Sequence, residues 1–254
     1  MTRRANFSMT EVVESVLPLG ARSQMPGYEY FTGGTCFLAR RKRRLFVVTA
    51  RHALRDKPGE DVWVPHNADT LEPLPLRSLV ETAPLNDDAH SAADIAAFEV
   101  EERRVSGALA PQINLSAVAF WNPANAKSRT EVVFAGFPKA GLANSVDYEA
   151  RTISRQRFIG RGRYAESSGQ WMHRFDVDEL GLVKTLDGMS GSPVFCREGA
   201  VGTPFLFAGV LVRGSGNGHI AQFVEAAVTI RLLDRALHRE RNEAKRARRA
   251  MRGH

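Results

Sequence analysis

Apolar residues along this chain come in short runs, several of them alternating with polar positions, and turn-forming Gly, Pro, Asn, Asp and Ser residues separate the runs. Such spacing favours strands over helices, because successive strand side chains point to opposite faces and β-branched or aromatic residues pack well on a pleated surface. The pattern predicts strands near 29–39, 44–50, 61–64, 94–100, 131–137, 150–160, 172–178, 193–196, 204–213 and 220–228. From about residue 230 the pattern changes: Leu233 and Leu237 stand four apart among charged residues, the spacing of one helical face. A hydrophobic content of 43% in 254 residues is ordinary for a globular protein with a sizeable core, and 21 Gly with 12 Pro suit many turns between short strands. An all-β architecture with a C-terminal helix is expected.

Three of the predicted strand ends carry residues with a shared chemistry. Ser190 lies in Asp187-Gly188-Met189-Ser190-Gly191-Ser192-Pro193-Val194-Phe195, a small-residue turn leading into an apolar strand. A serine hydroxyl is a poor nucleophile at neutral pH, so it needs a base within hydrogen-bond reach and a carboxylate to orient that base. His52 follows the apolar run Leu45-Phe46-Val47-Val48-Thr49-Ala50, and Asp94 opens the stretch Asp94-Ile95-Ala96-Ala97-Phe98. Ser192 is the nearest rival to Ser190, but it precedes Pro193 and is biased toward the extended backbone of the coming strand. The order His, Asp, Ser differs from the Ser, Asp, His of α/β-hydrolases and from the Asp, His, Ser of subtilisin.

Thr49-Ala50-Arg51-His52, Asp94-Ile95-Ala96 and Gly188-Met189-Ser190-Gly191-Ser192-Pro193 together resemble the chymotrypsin-fold (trypsin-like) serine peptidases of bacterial and viral type. Gly33-Gly34-Thr35-Cys36-Phe37, Ala135-Gly136-Phe137-Pro138 and Ala208-Gly209-Val210-Leu211-Val212-Arg213-Gly214 extend the similarity over roughly residues 25 to 230. The resemblance implies two six-stranded Greek-key β-barrels with a substrate cleft between them. Residues 1–24 would be an N-terminal extension, 25–105 the barrel with His52 and Asp94, 106–119 a linker, 120–229 the barrel with Ser190, and 230–254 a basic helix or tail. It implies a serine endopeptidase, with the backbone N–H groups of Gly188 and Ser190 as oxyanion hole and no metal or other cofactor. Substrate contacts would fall on Lys184, Thr185, Leu211, Val212, Arg213 and Gly214; with Lys184 or Arg213 turned inward, an acidic P1 side chain is favoured. Met189 stands where zymogen-activated relatives carry an aspartate that pairs with a new N-terminus, so activation by N-terminal clipping is not expected.

The net charge of +7 is concentrated in the last 24 residues, which hold nine Lys or Arg against three acidic residues. That stretch is a candidate for binding nucleic acid or an acidic partner, although no aromatic residues are interleaved with it. A second basic cluster, Arg40-Arg41-Lys42-Arg43-Arg44, falls between two strands and reads as a surface hairpin. The partners expected are a polypeptide substrate and a regulatory protein, without a membrane span, since no stretch approaches ~20 apolar residues. Only Cys36 and Cys196 are present, and no signal-type segment is legible at the start, which together point to a cytoplasmic protein. The rival reading is a non-catalytic binding or adaptor module on a peptidase fold, recruited by its basic tail.

Overall fold

The computed structural model describes residues 9–22, 30–54, 61–67, 69–81, 94–127, 130–139, 144–178, 180–181, 183–199, 202–215 and 219–252. After a short helix α1 (Met9–Glu14), the first sheet is built from β1 (Val16–Arg22), β2 (Tyr30–Arg41), β3 (Arg44–Ala50), β4 (Val62–Trp63), β5 (Leu76–Glu81), β6 (Ile95–Val100) and β7 (Ile113–Asn114). Its order is β4-β1-β2-β3-β6-β5, with β7 added in parallel to β2. The second half contains β8 (Glu131–Gly136), a hairpin of β9 (Asn144–Asp147) and β10 (Thr152–Arg155), then β11 (Phe158–Gly169), β12 (Met172–Val177), β13 (Pro193–Arg197), β14 (Leu206–Gly214) and β15 (Ile220–Glu225), followed by helix α2 (Ala226–Arg252). Strands β11-β12-β15-β14-β13-β8 close into an antiparallel barrel. The expected pair of barrels is therefore present as one closed six-stranded barrel and one strongly curled half-barrel.

Packing explains why several strands read as continuous apolar runs. In β3, Val47 packs with Leu17, Leu38, Val64 and Phe98 inside the curl of the first sheet. Its neighbours Phe46 and Val48 belong to another cluster, with Phe37, Ile95, Phe195, Phe207, Val210 and Leu232. Both faces of the strand are buried, so alternation disappears. The second cluster draws residues from both sheets and from α2, while a third, with Phe134, Phe175, Met189, Val194 and Phe223, fills the closed barrel. Burying each such aromatic side chain contributes roughly 1.5–3 kcal/mol, so the shared cluster ties the two halves together.

Several expected boundaries shift for the same reason. Residues 16–22 are not an extension outside the sheet: β1 pairs with both β2 and β4, and Val16, Leu17 and Leu19 are fully buried or nearly so. Two-sided burial removed the period-2 signal that would have marked this strand. The expected linker, residues 106–119, is packed down along its length: Ala110, Ile113, Leu115 and Val118 are buried and β7 pairs with β2. The expected strand 220–228 ends at Glu225, and the helix starts at Ala226 instead of residue 230. Val228 and Leu232, at i and i+4, dock on the shared cluster together with Leu233, and tertiary burial settles an apolar run that periodicity alone leaves ambiguous. The single strand expected over 150–160 is two strands, β10 and β11. Residues 1–8, part of the expected extension, lie outside the described residues, as do the side chains of the tail from 240 onward.

Helix α2 is fixed to the first sheet by charge as well as by apolar contact. Arg41, at the β2–β3 hairpin, donates from Nε and Nη2 to the two carboxylate oxygens of Asp234 at 3.1 and 2.8 Å, and Lys42 Nζ lies 3.6 Å from the same carboxylate. The hydrogen bond from Arg41 holds the Asp234 carboxyl below its ordinary range, with the charges of Arg41 and Lys42 adding to it against the opposing effect of burial. A carboxyl lowered in the folded state adds stability above its unfolded value near pH 4 and loses it as pH falls through the folded value. Asp234→Asn is therefore expected to cost about 1 kcal/mol at neutral pH, and the gap from wild type should close progressively below about pH 4, as read by urea denaturation across pH. Two further residues of the basic hairpin are similarly paired within the chain: Arg40 with Glu102 at 2.6 Å and Arg44 with Glu99 at 2.7 Å.

Candidate active site

Register and one 3₁₀ turn place His52 beside Asp94. In the β3–β6 pair Ala50 stands opposite Ile95, so the residues just beyond, at the end of β3 and the start of β6, meet at one edge. The Arg51 N–H donates to the Asp94 carbonyl at 3.0 Å, and a 3₁₀ turn over Arg51–Leu54 then swings His52 over the aspartate. The Asp94 carboxylate accepts twice from the same residue: Oδ1 from the His52 backbone N–H at 2.9 Å, and Oδ2 lies 2.6 Å from imidazole Nδ1. Its side chain is only 12% exposed, against 48% for His52, so the carboxylate is shielded while the imidazole faces the cleft.

Ser190 arrives from the other half of the molecule. Its Oγ lies 2.9 Å from His52 Nε2 and 3.5 Å from the Val212 carbonyl, so the imidazole is its nearer partner. The turn carrying it can be accounted for peptide by peptide. The Asp187 carbonyl accepts from Lys139 N–H at 2.8 Å, the Gly188 carbonyl from the Thr35 hydroxyl at 2.7 Å, the Met189 carbonyl from Ser192 N–H at 3.0 Å, and the Ser190 carbonyl from Thr35 N–H at 3.2 Å. The N–H groups of Met189 and Gly191 go to the carbonyls of Leu186 and Leu211. Among the described residues, two N–H groups of this turn, those of Gly188 and Ser190, have no partner. Because C=O and N–H of a trans peptide point in opposite directions, the bond from Lys139 turns the Gly188 N–H away from Lys139. Gly188 adopts φ +87°, and a Cβ there would come within 2.7 Å of the Phe137 carbonyl, so only glycine fits this turn. Met189 is fully buried in the barrel core, where its thioether packs instead of pairing with a charge.

These groups line a cleft of about 580 Å³ together with Gly33, Lys139, Leu186, Asp187, Val212, Arg213, Gly214 and Ser215. Of the residues expected to contact substrate, Val212, Arg213 and Gly214 are on this lining and Lys184, Thr185 and Leu211 are not. Val183 and Leu186 are buried and leave Lys184 exposed to solvent, while the Thr185 hydroxyl accepts from the Asp187 N–H at 3.4 Å. Leu211 points into the closed barrel beside Phe223. The lining carries Lys139 and Arg213 as well as Asp94 and Asp187. Lys139 and Leu186 escaped the sequence reading because neither stands in a motif with chemistry of its own; they reach the cleft only through tertiary packing. Both cysteines are free and buried, and burial pushes their thiols up, leaving them inert small hydrophobes.

No helix among the described residues is long and apolar enough to cross a membrane. No curated protein matches the chain at a significant level. A family model described as a trypsin-like peptidase domain matches residues 34–201, a span that runs from within β2 through β13 and includes His52, Asp94 and Ser190. The chain belongs to the trypsin-like peptidase domain family.

Proposed function

We propose that this peptidase domain is a serine endopeptidase, with Ser190 as nucleophile, His52 as general base and acid, and Asp94 as the group that orients the imidazole. The observation that carries the reading is the unbroken hydrogen-bond line from Asp94 Oδ2 through His52 to Ser190 Oγ, at 2.6 and 2.9 Å. With Nδ1–H donated to the carboxylate, Nε2 is the acceptor for the Ser190 proton as Oγ attacks the substrate carbonyl. The tetrahedral oxyanion is received by the two N–H groups of Gly188 and Ser190, a contribution of about 3–4 kcal/mol per donor in such sites. His52 then hands its proton to the leaving amine, and a water repeats the sequence to release the acyl group.

The hydrogen bonds that close the Ser190 turn come from within the chain, and Met189 replaces an ion pair by core packing. That supports a site formed without N-terminal clipping. A fluorophosphonate probe should label the purified protein at Ser190 and fail to label Ser190→Ala. A folded wild-type protein that resists the probe would overturn the reading in favour of a binding module. Mapping of new N-termini generated by wild type against Ser190→Ala would then identify the polypeptides cleaved.

A further inference from the structure

Two sheets meet at Thr35. It lies on β2, is fully buried, and directs its backbone N–H and its hydroxyl to the Ser190 turn and to the Phe137 segment beside it. Its hydroxyl donates to the Gly188 carbonyl at 2.7 Å and accepts from the Phe137 N–H at 2.9 Å. Its backbone N–H donates to the Ser190 carbonyl at 3.2 Å, and its own carbonyl accepts from the Thr49 hydroxyl at 2.8 Å. Resting on the reading of Ser190 as nucleophile, we infer that the Thr35 side chain is a positioning residue for the oxyanion hole, setting the direction of the Gly188 N–H from across the interface between the sheets.

The geometry gives that hydroxyl two routes to one N–H. Directly, it holds the carbonyl of Gly188, which together with the Met189 N–H bond to Leu186 locks the peptide plane on the C-terminal side of Gly188. Indirectly, it holds the Phe137 N–H and so fixes the segment that runs on to Lys139, whose own N–H grips the Asp187 carbonyl and locks the plane on the N-terminal side. Gly188 is the residue of the turn most able to rotate, since glycine lacks the steric limits that confine other residues. With both flanking planes held, its N–H stays aimed at the cleft. A hydroxyl suits the task because it can donate and accept at once, whereas an apolar side chain of the same shape leaves a buried carbonyl and a buried N–H unpaired.

Thr35→Val keeps the shape and removes both bonds, and Thr35→Ser keeps the hydroxyl. In the full-length protein, the second-order rate of Ser190 labelling by a fluorophosphonate probe, read well below each variant's melting temperature, is expected to fall ~10–100-fold for Thr35→Val, less than the ~10²–10³-fold loss typical of deleting a donor outright. Thr35→Ser should restore it to within about threefold of wild type. A role confined to stability would lower the melting temperature and leave the rate of the folded variant unchanged; that result overturns the inference. Should Thr35→Val not fold, Thr35→Ala is read in its place, with slow labelling rescued by Thr35→Ser supporting the inference and wild-type labelling overturning it. Failure of the wild type itself to label would bring down the peptidase reading and this inference together, whereas a labelled wild type with an equally labelled Thr35→Val removes only the inference.

Discussion

Exchange of Asp94 for asparagine is expected to lower turnover about 10⁴-fold while leaving the fold and the substrate KM nearly unchanged. The reason lies in the two bonds that Asp94 makes to one residue. Oδ1 accepts from the His52 backbone N–H and Oδ2 from imidazole Nδ1. An asparagine must keep its oxygen on the backbone N–H, because its amide group there would set donor against donor. The amide then faces Nδ1 and donates to it, which moves the ring proton to Nε2. That nitrogen sits 2.9 Å from Ser190 Oγ and can no longer accept the hydroxyl proton. Single-turnover measurements on a peptide from the cleavage map, with melting temperature as control, test this; turnover within tenfold of wild type would rule out His52 as the base that Asp94 orients.

The second large effect concerns stability. Gly191→Ala is expected to destabilise the protein by about 3 kcal/mol or more, a value reserved for substitutions with a named structural conflict. Gly191 has φ +96°, and a Cβ there would lie 2.0 Å from the Thr35 carbonyl oxygen and 2.5 Å from Thr49 Oγ1. Neither atom can retreat without breaking the bond from the Thr49 hydroxyl to that carbonyl. The Ser190 turn must therefore lift off β2, losing the Thr35 N–H bond to the Ser190 carbonyl as well. For a chain of this length, a fall in thermal midpoint of roughly 10 °C corresponds to that cost. Gly33→Ala is the control, since nothing lies within 4 Å of its added Cβ, and it should change the midpoint by little.

The sequence was most readable where chemistry and strand periodicity coincide. His52, Asp94 and Ser190 each stand at the end of an apolar run, and the strands 44–50 and 193–197 that carry two of them lie within a residue of their expected limits. Strands such as 16–22 went unread because burial on both faces erases alternation. Strand 158–169 was only partly read for the opposite reason: its exposed positions hold Arg161, Arg163 and Ser168, while Gly160 and Gly162 supply little hydrophobic signal at the buried ones. Thr35 was legible as a motif member but not as a support, since a hydroxyl's partners on residues 102 and 153 positions away leave no local trace. The substrate-facing residues were the least legible, because the direction of Lys184 or Leu211 depends on which neighbours the barrel buries.

The apolar cluster that takes Phe46 and Val48 from one sheet, Phe195 and Val210 from the other, and Leu232 and Leu233 from the final helix has a consequence for how the molecule comes apart. Neither half owns that cluster, so melting of either one strips the face its neighbour rests on. Unfolding is thereby expected to couple the two halves, so that the nucleophile on one and the base on the other are lost together, as coincident denaturation curves from probes in each half would show.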